Sequence, residues 1–133
     1  MIKLFIGSKG SGKTKTLIEM VNNAVNSSNG NVVCIEKGDK LIHDITYKAR
    51  LIDTNAYSVS DAEALYGFIA GILASNSDIT DIFVDSALKI VGNDTDAFAA
   101  MLDKLNKITA DVNLVMTSSI AVEECPDAIK AYT

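Results

Sequence analysis

The sequence predicts an α/β fold: a three-layer αβα sandwich around a mostly parallel sheet of about four or five strands, in one domain over residues 1–133. Two observations carry that expectation. Short runs such as VVCI (32–35) and IFV (82–84) are apolar without alternation, which suits strands buried on both faces, as in parallel sheets. Between the runs lie longer segments with apolar residues at helical spacing, so strands and helices alternate along the chain. A chain of 133 residues can bury one real core, and no linker or internal repeat divides it.

The elements follow in order. Ile2 to Ile6 is a short apolar strand that runs into a glycine-rich loop. Leu17, Ile18, Val21 and Val25 then share one face of a helix from about Lys13 to Asn26, and NSSNGN (26–31) is a turn cluster that ends it. Val32 to Ile35 is the second strand. Residues 37–50 read as a loop with a short helical or extended piece, leading to a strand at about Arg50 to Asp53. SDAE (60–63) matches a capping box with Ser60 as N-cap and Glu63 reaching back, and Ala62, Leu65, Tyr66, Ile69, Ile72 and Leu73 form the apolar stripe behind it. Ile82 to Val84 is a core strand that ends in Asp85. Asp94 or Thr95 opens a helix with Phe98, Met101, Leu102, Leu105 and Ile108 on one face. Val112 to Met116 is a further strand followed by the polar run Thr117, Ser118 and Ser119, and Pro126 starts a short terminal helix.

Composition narrows the function. A net charge of −5 argues against a protein that coats nucleic acid, although it leaves room for a local basic groove. The two cysteines, Cys34 and Cys125, are far apart, and with a single histidine, His43, they do not make a zinc site. Cys34 lies in an apolar run, so packing is its expected role. MIKLFIG is too short for the apolar core of a secretory signal, and no apolar run approaches the roughly 20 residues of a membrane span. The expected location is cytoplasmic, with no membrane partner.

IGSKGSGKTKT (6–16) carries the strongest chemical signal. Gly7, Gly12, Lys13 and Thr14 fit Gly-x-x-x-x-Gly-Lys-[Ser/Thr], between a predicted strand and a predicted helix. Glycines at 7, 10 and 12 allow successive N–H groups to converge on phosphate oxygens, and the helix start adds its positive end. Lys13 is a mobile point charge for β/γ-phosphates, and the Thr14 hydroxyl can ligate Mg²⁺. Residues Gly7, Ser8, Lys9, Gly10, Ser11, Gly12, Lys13, Thr14 and Lys15 are therefore candidate nucleotide-binding residues.

These residues resemble the Walker A motif of P-loop NTPases, and DIFVDS (81–86) resembles their Walker B segment, with Asp85 as the aspartate that orients Mg²⁺. The resemblance implies ATP and Mg²⁺ as ligands, with Thr14 and Asp85 at the metal. GTPase signatures are missing: Ser86, Ala87 and Leu88 follow Asp85, and NKIT (106–109) lacks the final Asp of the guanine motif. Small-molecule kinases commonly carry lid arginines, whereas Arg50 is the only arginine here, and the zinc cysteines of a thymidine-kinase-like protein are missing.

The sequence is most similar to a minimal RecA/AAA-like ATP-binding domain, a division with an extra strand between the Walker A and Walker B strands. The strand at 112–116 looks like that insertion, which implies Thr117 beside the terminal phosphate. Many members place a glutamate directly after the Walker B aspartate, where this chain has Ser86. RecA-like members instead carry one at the end of the strand after the first helix, where Glu36 stands. The resemblance thus implies Lys13, Glu36 and Asp85 as catalytic residues of a slow Mg²⁺-dependent ATPase. Two alternatives stay open: a non-hydrolysing ATP-binding module that regulates a protein partner, and a small phosphotransferase. Self-association is also expected, since a chain this small offers little to close the outer side of a nucleotide.

Overall fold

Five apolar runs pair into one sheet: β1 (Ile2–Gly7), β2 (Asn31–Glu36), β3 (Arg50–Asp53), β4 (Ile79–Val84) and β5 (Asn113–Ser119), in a computed structural model that describes residues 1–133. Every pairing is parallel, and the spatial order is β1-β5-β4-β2-β3. The helices are α1 (Lys13–Ser27), α2 (Ala62–Ser75), α3 (Ala87–Ile90), α4 (Thr95–Asn106) and α5 (Asp127–Lys130). The α/β class and the strand count match the expectation, and the sheet is wholly rather than mostly parallel. No helix is long and apolar enough to cross a membrane.

The direction of travel across the sheet decides which face each connection covers. From β1 the chain moves to β2 and on to β3; it then returns to β4 and β5, towards β1. Parallel crossovers are right-handed, so outward and returning connections must lie on opposite faces. Side-chain alternation agrees with this. Val32 and Cys34 of β2 pack with Leu17 and Val21 of α1, whereas Val33 and Ile35 pack with Leu65 and Ile69 of α2 and Phe98 and Leu102 of α4. The three layers are therefore α1 with the 37–49 segment, the sheet, and α2 to α5.

Residues 37–49 carry no regular helix or strand and run through bends and turns. The segment still acts as part of a layer, because Leu41, Ile45 and Ala49 are buried beside Leu17 and Val21. Asn22 of α1 pins it from both sides: its Nδ2 donates to Asp44 O at 3.0 Å, and its Oδ1 accepts from Thr46 N at 3.0 Å.

Several local expectations need correction. The cap of α2 is Asp61 rather than Ser60: Asp61 is extended, and its Oδ1 accepts from Ala64 N at 2.8 Å. Both residues are capping types, and the buried stripe of Ala62, Leu65 and Ile69 sets the helix phase that selects the later one. Ile108 lies beyond the end of α4 and is exposed, because the helix stops at Asn106. Thr117, Ser118 and Ser119 belong to β5, as their backbones pair with Phe5, Ile6 and Gly7. The short helix α3 was not anticipated; it is one turn with Ala87, Leu88 and Ile90 buried. Asp61→Ala should cost about 1 kcal/mol of stability, and Ser60→Ala less than about 0.5 kcal/mol, in urea unfolding followed by circular dichroism.

Candidate functional site

The chain leaves β1 and β4 towards opposite faces, which opens a crevice over the carboxyl ends of the strands, the usual ligand position in parallel sheets. The first wall is the glycine loop. Gly10 (φ 84°) and Gly12 (φ 90°) adopt left-handed backbone, which a side chain would strain. The Lys13 ammonium folds back over the loop and donates to Gly7 O and Ser8 O at 3.0 Å each and to Ser11 Oγ at 3.2 Å. Its three donors are thus matched by three loop acceptors. Helix α1 begins here with no side-chain cap, so the N–H groups of its first turn face the crevice side of the loop unclaimed by a side chain.

Asp85 forms the floor. It follows β4 and is 9% exposed, and its carboxylate is held by hydroxyl donors. Thr117 Oγ1 donates to Asp85 Oδ1 at 2.7 Å, and Thr14 Oγ1 donates to Oδ1 at 3.1 Å and more weakly to Oδ2 at 3.4 Å. Thr117 also accepts from Ser86 N at 2.8 Å, and Ser118 Oγ accepts from Leu88 N at 3.2 Å. The pleat of β5 divides the two hydroxyls, with Thr117 on the α1 side and Ser118 on the α3 side. Ser86 takes a left-handed conformation (φ 56°, ψ 46°), which turns the chain from β4 into α3.

Thr117 is 1% exposed, and both its donor and an acceptor site are engaged, so it positions Asp85 rather than lining the crevice. Glu36 is also placed away from the crevice. It is 3% exposed, and its Oε2 accepts from Leu41 N at 3.1 Å. Burial pushes the Glu36 carboxyl above its ordinary value of 4.5, the Leu41 and Lys40 N–H groups pull it down, and Asp85 and Asp53 push it up. Burial, with the Glu36 and Asp85 carboxylates, pushes the Cys34 thiol up to about 12, so Cys34 is a packing residue with no thiolate character at neutral pH.

The crevice has a volume of about 730 Å³. Of the sequence candidates, Lys9, Gly10, Gly12, Lys13, Thr14, Lys15 and Asp85 line it; Gly7, Ser8, Ser11, Glu36 and Thr117 do not, and Gly7, Ser8 and Ser11 serve as acceptors for Lys13. Lys40, Asp44, Ser86, Lys89, Asn93 and Ser119 line it as well, and sequence reasoning missed them. A faint signal existed: Lys40 and Lys89 each stand four residues after a strand-end carboxylate, Glu36 and Asp85. Five of the twelve basic residues of an acidic chain therefore meet in one crevice, against two aspartates. Such a site attracts an anion with several oxygens.

No group of three or more His, Cys, Asp or Glu side chains is placed to cage a metal ion. Thr14 and Asp85 still fit Mg²⁺, which takes one or two protein oxygens and fills its other positions with water and phosphate. Comparison with protein-family models and with curated proteins finds no match.

Two outcomes test these contacts. Thr117→Val leaves Ser86 N without its acceptor and Asp85 without its closest donor, and should lower unfolding stability by about 1–3 kcal/mol in urea titration. The raised Glu36 value means that the native state binds this proton more tightly than the unfolded chain. Its contribution is therefore full below pH 4.5 and is lost as pH rises through the raised value. Wild-type stability relative to Glu36→Gln should fall over that window and then level off, as read from urea midpoints between about pH 4 and 8.

Proposed function

We propose that this chain binds ATP with Mg²⁺ in the crevice and hydrolyses it slowly, as a minimal P-loop ATPase of the RecA/AAA-like kind. The observation that carries the reading is the convergence of five lysines, a left-handed glycine loop and the Thr14–Asp85 pair at one end of the sheet. The position of β5 between β1 and β4 supports it, since the resemblance implied an inserted strand there. ATP rather than GTP follows from the missing guanine motif.

Each residue has a defined task in this reading. Gly10 and Gly12 let loop N–H groups face phosphate oxygens, and Lys13 exchanges its loop acceptors for those oxygens. Lys9 and Lys15 raise the local positive potential. Thr14 and Asp85 would hold Mg²⁺, which supplies charge neutralisation between the β- and γ-phosphates. Thr117 keeps Asp85 oriented from beneath.

Slow turnover follows from the placement of Glu36. The resemblance assigned it to water activation, but its carboxylate is buried and bonded to the Leu41 turn. A base must reach the water whose proton it takes. The same observation favours the second reading, a regulatory module in which nucleotide occupancy rather than cleavage acts on a protein partner.

Calorimetric titration with ATP, ADP and GTP in Mg²⁺, followed by phosphate release on the same sample, tests the proposal. Lys13→Ala should weaken ATP binding by about tenfold or more, through loss of charge-assisted hydrogen bonds. Glu36→Gln should leave the slow phosphate release within about twofold of wild type, because no role in water activation is lost. Wild-type affinity in Lys13→Ala overturns nucleotide binding at this loop. Collapse of release in Glu36→Gln with binding intact restores Glu36 as the base.

A further inference from the structure

We propose that Lys40 and Lys89 act together as a two-sided clamp on the terminal phosphate of the bound triphosphate, so that the site discriminates triphosphate from diphosphate using charges of this chain alone. The inference rests on the nucleotide reading above and adds two contacts that the glycine loop does not contain.

The loop and the start of α1 supply Lys9, Lys13 and Lys15, enough for phosphates seated on the loop itself. Lys40 and Lys89 come from elsewhere: the turn after β2 and the helix α3 after β4. Lys40 follows β2 on the α1 face of the sheet and Lys89 follows β4 on the other face, so the two lysines reach the same crevice from its two sides. Neither lysine belongs to the glycine loop, so in this proposal they meet the part of a phosphate chain that extends beyond the loop.

Both lysines are exposed but stand on anchored backbone. Lys40 precedes Leu41, which is buried and donates its N–H to Glu36 Oε2 at 3.1 Å. Gly38 N donates to Asp53 Oδ1 at 2.8 Å and fixes the other side of the same turn. Lys89 is the one exposed residue of α3, with Ala87, Leu88 and Ile90 buried around it. Ser86 N and Leu88 N are bonded to Thr117 and Ser118 of β5. Glu36, Thr117 and Ser118, three buried polar side chains, thus act as positioning residues for the two cations.

Anchored backbone matters because an ordered ammonium loses less entropy on contact than one on a mobile loop. Both lysines line the crevice, so their ammonium groups are within reach of a ligand bound there. The chain has a single arginine, and it sits on the edge strand β3 rather than in the crevice, so lysines are the cations at hand.

Calorimetric titration of the full chain with ATP and with ADP, each in Mg²⁺, tests the clamp through the ratio of the two affinities. Lys40→Ala and Lys89→Ala should each weaken ATP by about tenfold and ADP by less than about twofold. Lys48→Ala, on the same 37–49 segment but outside the crevice, should change neither. The ADP affinity reports on the fold and the loop, so a variant that misfolds would lose both ligands. Equal loss of ATP and ADP in a variant whose circular dichroism and urea midpoint match wild type, or no loss of either, overturns the clamp while leaving nucleotide binding intact. A wild-type chain that binds neither nucleotide overturns the nucleotide reading and the clamp with it.

Discussion

The Asp85 carboxylate holds the working end of this molecule together. It is nearly buried at the end of β4. A buried carboxylate in that position must be met by hydrogen-bond donors. Thr14 of α1 and Thr117 of β5 provide them, and Asp85 N donates in turn to Ile35 O of β2 at 2.9 Å. One side chain and its own N–H therefore tie together a helix and three strands. Ser86, next in the chain, carries the tie into α3 through Thr117.

That arrangement separates two kinds of polar group along the carboxyl edge. Glu36, Thr117 and Ser118 are turned inward and spend their hydrogen-bonding capacity on backbone N–H groups and on Asp85. Lys9, Lys15, Lys40 and Lys89 are turned outward into the crevice, and Lys13 rests on the loop. The inward set is short and rigid, and the outward set is long and charged. A crevice built this way has several groups that can hold an anion and few poised to move a proton.

The handedness of the crossovers shapes the crevice as much as any side chain does. Outward and returning connections must take opposite faces, so the chain ends over β1 and β4 splay apart. Residues 37–49 then cover one face without a regular helix, using Leu41, Ile45 and Ala49 as anchors. The same anchors bring Lys40 and Asp44 to the crevice rim. Packing of an irregular segment thereby becomes part of the site.

Much of this is legible along the chain, because it depends on neighbours in sequence. Uninterrupted apolar runs mark strands buried on both faces, helical spacing marks α1, α2 and α4, and glycines beside Lys13 and Thr14 mark the loop. The site resisted the same reading wherever roles depend on neighbours across the sheet. Thr117 and Ser118 look equivalent in sequence, yet the pleat sends one to Asp85 and the other to α3. Glu36 looks available for chemistry until the turn at Leu41 closes over it. Lys40 and Lys89 are 49 positions apart, and only strand order brings them to one crevice. By itself the sequence determined the elements, the parallel sheet and the glycine loop, since these follow from local periodicity and backbone freedom. Only the tertiary structure decided which polar groups face the crevice, because register and crossover handedness, not spacing, set what lies beside what.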